Sequence, residues 1–393
     1  MTVSGAGTGV QVNGSILEAA RSRVGLSRRE AAERATEEVG RYMDGAVLTA
    51  QDIAAIERGD RLASVAEAEA LAGICFVRYL DLFGAELPSR PWRDFRRPAG
   101  ASSTLSYAAY QRIDLFDRLY EVTHRVTSLL SRDEQIALPS VRGSSPETAD
   151  LGALADETRS ALGVGTVEQA SWDGEADALS GWVRAIEDLG VSVFRIPMPV
   201  DELRGLSRWD PGGPPAVALN TADSPASQMF TLHHELGHLI LRVDSGTLCD
   251  PHVRAPRNEE RAANALAAEV LVPSAELLGA LPPESGVWPR SFRDWPVGIR
   301  KDLRDRFCVS AAVIGIRLQE LGVVADSGYK PYWHTAMGRP RGGGSSVYKR
   351  YRRYLGDHAS RLISHALLDE RISIAEIART LRLKASDVEL IAG

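Results

Sequence analysis

The segment FTLHHELGHLIL carries the densest chemistry in this chain, because His234, Glu235 and His238 form an H-E-x-x-H pattern within it. On a helix, positions four apart lie about 40° from one another, so the two imidazoles face one way and can share a metal ion. Glu235 stands one position on, where its carboxylate can reach a metal-bound water without ligating the metal. That is the chemistry of metal-assisted hydrolysis, and zinc is the expected ion. A hydrolytic zinc site also needs a third protein ligand and one open position.

The third ligand does not follow at once. A metzincin continuation would require glycine and then histidine, three and six residues after His238, where Leu241 and Asp244 stand. The segment NEERAANALAAEVLVP offers a carboxylate on a following helix instead. Glu260 is the preferred candidate, with Asn264 one turn later on the same face to orient a ligand histidine by hydrogen bond. Glu259, Asp250 and His252 are rivals; Glu259 would point about 100° away from the face of Glu260 and Asn264.

Elements to position these residues are legible around them. Ser224 and Pro225 supply an N-cap and first-turn pair, and Phe230, Leu236, Ile240 and Leu241 supply apolar anchorage. The periodicity predicts helices over roughly 225–242 and 258–271, the second closed by Pro273. Upstream, LADETRSALGV and ADALSGWVRAIEDLG read as helices, and GVSVFRIPM and PAVALN as strands. His233 is expected to be a partly exposed bystander.

FTLHHELGHLIL followed by NEERAANALAAEVLVP, with the two strands upstream, resembles the ImmA/IrrE family of metallopeptidases over roughly residues 150–280. The resemblance implies an α+β zincin-like peptidase domain, with His234, His238 and Glu260 as zinc ligands and Glu235 as catalytic base. It further implies a protein substrate, a DNA-binding repressor cut during a stress or mobile-element response.

The N-terminal part reads differently. Ser27–Glu30, Thr49–Asp52 and Ser64–Glu67 each place an oxygen-bearing N-cap three residues before an acid, which marks helix starts. Leu17, Ala20, Val24, Ala31, Ala35, Ile53, Ile56 and Leu71 can share one small core. Residues 15–78 resemble the Xre/Cro-type helix-turn-helix domain, most tellingly at Ile53, Ile56, Glu57, Arg58 and Gly59. The resemblance implies DNA binding, with helices 27–35 and about 49–57 facing the major groove. Arg21, Arg28 and Arg29 are the candidate phosphate contacts and Gln51 the candidate base contact. Two features depart from the family: the insertion TEEVGRYMDGAV, and nine arginines against eleven acids over residues 15–78. A dimerisation or partner-docking module is the competing reading of this segment.

The chain has 393 residues, a net charge of −6 and three cysteines without a C-x-x-C. The expected architecture is multidomain and mainly α: a flexible lead at 1–14, an all-α helix-turn-helix domain at 15–78, a linker and helical segment at 79–147, the peptidase domain at 148–285, and a helical C-terminal region at 286–393. Within the last, residues 330–354 hold seven basic residues and no acid, interleaved with Tyr348, Tyr351 and Tyr354. Those tyrosines either stack on nucleic acid or pack on neighbouring helices. Ser373–Glu376 and Ser386–Glu389 suggest two more capping boxes. Cysteine usage, the lack of a signal-like start and the lack of an apolar run of about 18 residues point to a cytoplasmic protein without a membrane partner. A homodimer is compatible with the sequence. The functional expectation is therefore a transcriptional regulator joined to a zinc-dependent endopeptidase. The alternative is a non-cleaving DNA-binding regulator or antitoxin-like protein whose peptidase fold senses or docks.

Overall fold

The computed structural model describes residues 9–40, 47–87, 94–96, 105–130, 138–139, 150–210, 213–242, 257–282, 290–329 and 346–392. The chain is mostly helical with one small sheet, and divides into two units: Met1–Arg90 with Ser102–Asp114, and Pro91–Ala101 with Leu115–Gly393.

In the first unit, α1 (Gly14–Arg23), α2 (Arg28–Val39), α3 (Ala50–Arg58) and α4 (Val65–Ile74) enclose a small core. Ser27, Thr49 and Ser64 each cap a helix, and each accepts from the backbone of the acid three residues on. Glu30, Asp52 and Glu67 return the bond, so Asp52 completes a capping box as fully as the two glutamates do. All eight residues named as a shared core are inaccessible to solvent. The insertion TEEVGRYMDGAV begins within the last turn of α2, and half of it, residues 41–46, lies outside the described residues.

The second unit contains β1 (Asp94–Arg96) and, after α5 (Tyr107–Leu129), which begins in the first unit, α6 (Leu151–Leu162), α7 (Thr166–Ser171) and α8 (Gly174–Asp188). Then come β2 (Ser192–Ile196), β3 (Gly205–Arg208) and β4 (Ala216–Asn220), followed by α9 (Pro225–Arg242), α10 (Arg257–Leu271) and α11 (Ser274–Gly279). The sheet order is β1-β3-β4-β2; β2 and β4 are parallel, and β3 runs antiparallel to both of its neighbours. β4 is buried at every residue, which fits a strand covered on both faces and explains its continuous apolar run. The sequence predicts β2 and β4. It does not reveal the short β1 and β3, which lack an alternating pattern.

The C-terminal part adds α12 (Val297–Phe307), α13 (Ala311–Glu320), α14 (Val347–Leu368), α15 (Ile374–Leu381) and α16 (Ala385–Ala392). α14 kinks at Gly356, where φ is 70° and a Cβ would meet the Val193 carbonyl oxygen at 2.9 Å, so only glycine lets this helix bend onto β2. Ser373 caps α15 by accepting from the Glu376 amide, as expected. Ser386 does not cap: α16 starts at Ala385, which puts that serine inside the helix and removes the second box. Residues 330–345, including Lys330, Arg339 and Arg341, lie outside the described residues.

Candidate metal centre

α9 starts as its sequence predicts. Pro225 takes the first helical position, where its missing N–H costs nothing, and Ser224 Oγ accepts from the Ser227 amide at 3.3 Å. From Gln228 to Leu241 every residue is buried, so α9 is a core helix on all sides. One side meets β3 and β4, another meets α8, and a third meets α10.

The α10 side holds the centre. Nε2 of His234 and Nε2 of His238 lie 3.0 Å apart. Glu260 on α10 brings Oε2 to 3.6 Å from the first and Oε1 to 3.4 Å from the second. Among the described residues this trio is the group of metal-ligating side chains close enough to share one ion. Tetrahedral zinc bound at about 2.0–2.1 Å separates its ligand atoms by about 3.3 Å, and the three observed separations bracket that value. Two imidazole nitrogens 3.0 Å apart also require a proton or a cation between them. The residues present therefore fit a zinc ion.

Asn264 fixes how His234 presents itself. Its amide nitrogen donates to the Glu260 carbonyl at 2.7 Å, which turns Oδ1 toward His234, and Nδ1 of that ring donates to it at 3.1 Å. With the proton on Nδ1, the lone pair sits on Nε2, the nitrogen that faces His238 and Glu260. Glu259 is not part of the group, and the rivals Asp250 and His252 lie outside the described residues.

Glu235 faces the sheet beside this trio, fully buried. The Ser207 hydroxyl on β3 donates to its Oε2 at 2.7 Å. Two residues earlier on the same face of the strand, a Cβ on Gly205 would come within 2.4 Å of Thr231 Cγ2 and 2.9 Å of Glu235 Oε1. β3 is thus a cradle for the carboxylate, close because one residue has no side chain and polar because the other has a hydroxyl. Ser207 escapes sequence reasoning, since nothing local marks one serine in a four-residue strand.

Residues 186–319 match the family model of the IrrE N-terminal-like domain, Peptidase_M78. This IrrE N-terminal-like match takes in β3, α9 and α10, and with them Ser207, the two histidines, Glu235 and Glu260. It supports the resemblance to the ImmA/IrrE family and a metallopeptidase-type domain. No curated protein matches the chain.

His233 is corrected. It is 2% exposed, its Nδ1 donates to the Met229 carbonyl at 2.8 Å, and its ring stands edge-on to Trp182 at 4.6 Å. Burial pushes its pKa down to about 4, so it is a neutral core residue and faces no substrate. The candidate DNA contacts divide. Arg21 is buried and donates to Glu57 Oε1 at 2.6 Å and to the Leu26 carbonyl at 2.7 Å, so it holds α1 to α3 and is not available to phosphates. Arg28 is committed to the same carboxylate at 2.7 Å and to Glu18 at 3.2 Å. Arg29, 3.3 Å from Glu33, and Gln51 remain exposed.

Proposed function

We propose that this chain is a zinc-dependent endopeptidase with a regulatory role, cutting a DNA-binding repressor. The observation that carries the reading is the convergence of His234, His238 and Glu260 within ligand distance of one another, with Glu235 held beside them. His234, His238 and Glu260 would hold the ion. Bound there, zinc supplies a Lewis acid that lowers the pKa of a bound water toward about 7 and polarises a scissile carbonyl.

The chain's own groups do the rest. Glu235 accepts the proton of the attacking water at its carboxylate and returns it to the departing amine. Ser207 holds that carboxylate in place through Oε2. Asn264 keeps His234 in the tautomer that offers Nε2. The two histidines are almost fully enclosed while the Glu260 side chain is 38% exposed, so a peptide approaches the centre from the Glu260 side. The repressor as substrate rests on the family resemblance, as does a DNA-binding role for residues 15–78.

The test uses the full chain, supplemented with zinc and incubated with the repressor encoded beside its gene, against Glu235→Gln. One zinc per chain in both proteins, with cleavage by the wild type alone, is expected. Absence of zinc after supplementation overturns the site. Zinc in both with an intact partner overturns the peptidase reading and leaves a sensing or docking module.

A further inference from the structure

The first turns of α14 present Lys349, Arg350, Arg352 and Arg353, all exposed. Among the described residues none of the four makes an ion pair; the Lys349 ammonium lies 5.9 Å from the Tyr348 ring. At 3.6 residues per turn they spread over about 160° of the helix surface. The opposite side, with Tyr354 and Leu355, is buried.

Their position is electrostatically unfavourable for the chain alone. The helix begins after Ser346 with no acid in its first turn, and the unsatisfied amides there already carry partial positive charge. Cations stacked on that end repel it and each other, and an external anion relieves both. More positive charge lies alongside: the Tyr351 hydroxyl donates to the Leu381 carbonyl at 3.4 Å, and the turn after Leu381 exposes Arg382 and Lys384. The first unit offers a contrast, since two of its three candidate phosphate-binding arginines are neutralised by Glu57.

We infer that this face of α14 binds the phosphate backbone of duplex nucleic acid without reading its sequence. Three of the four cations are arginines, whose planar forks match phosphate oxygens. No aromatic or aliphatic side chain is exposed between them to anchor a protein partner. Tyr354 is buried in the core, Tyr351 is half-buried with its hydroxyl on Leu381, and Tyr348 is half-buried beside the Lys349 ammonium, so no tyrosine stands fully exposed as a stacking platform and single strands gain little over duplex.

The test is fluorescence anisotropy of a labelled duplex of arbitrary sequence, titrated with the full chain between 50 and 200 mM salt. Four phosphate contacts predict a log–log salt slope of about −3.6 from this face. Replacing Lys349, Arg350, Arg352 and Arg353 together by alanine should weaken binding at least tenfold at about 50 mM salt and flatten the slope by about that amount. The variant with lysine at all four positions should retain binding, and Lys301→Ala, which removes an exposed cation paired with Asp305 on another helix, α12, should bind as the wild type does. Wild-type affinity in the alanine variant, tighter binding of a single strand of the same sequence, or binding of polyglutamate but not of duplex would each overturn the inference.

Discussion

The Ser207 hydroxyl donates to Oε2 of Glu235 across 2.7 Å, with both side chains closed off from solvent. In the proposed hydrolysis this carboxylate takes and returns a proton and so has to stay within reach of water and leaving group alike, and a fixed donor on a strand restricts its rotation. Ser207→Ala is expected to lower kcat about ten- to a hundredfold, with KM and zinc content unchanged. Ser207→Thr should restore part of the loss. Steady-state kinetics beside metal analysis checks this; a fall in zinc content that parallels activity would make the residue structural only.

In the proposed mechanism Asn264 bears on the metal and not on the proton. Replacing it by alanine removes the acceptor for His234 Nδ1 and frees the ring to adopt the other tautomer. Zinc affinity should fall about ten- to a hundredfold, read by competition with a chromophoric chelator.

In the first unit, the Glu57 side chain is 2% exposed and holds Arg21 and Arg28 together. Glu57→Gln leaves the buried Arg21 with only the exposed Glu18, 3.9 Å away, as a countercharge and is expected to cost about 3 kcal/mol. Arg29→Ala, which removes an exposed pairing with Glu33, should stay within about 0.5 kcal/mol. Urea denaturation of the two variants distinguishes a structural arginine from a surface one.

Glu187 on α8 gives a pH dependence. Burial, reinforced by Asp357 on α14, raises its pKa from 4.5 to about 7. The folded state keeps this proton where the unfolded chain releases it, so the contribution to stability is complete below about 4.5 and disappears as pH rises through about 7. The difference is about 3 kcal/mol. Glu187→Gln should therefore match the wild type in acid and exceed it at pH 8, as thermal denaturation at several pH values would record.

The legible part of the molecule is the part written in short-range spacing. His234, Glu235 and His238 share one helix, and Glu260 with Asn264 share the next, so their faces follow from helical geometry alone. The helix caps of the first unit are local for the same reason. The misreadings come from contacts distant in sequence. His233 looked exposed because α9 was expected to have a solvent face, and its packing against Trp182 encloses it. Arg21 looked available because Glu57 is 36 residues away. Ser386 had the right spacing, but the helix starts two residues too early for it.

The enclosure of α9 from Gln228 to Leu241 sets the lifetime of the centre. A helix buried on all sides cannot fray at its middle, so its amides exchange with solvent only when the whole unit opens. His234 and His238 are then as permanent as the fold itself. An ion held there would leave past the half-exposed carboxylate of Glu260, and a chelator would act at that door long before the histidines part.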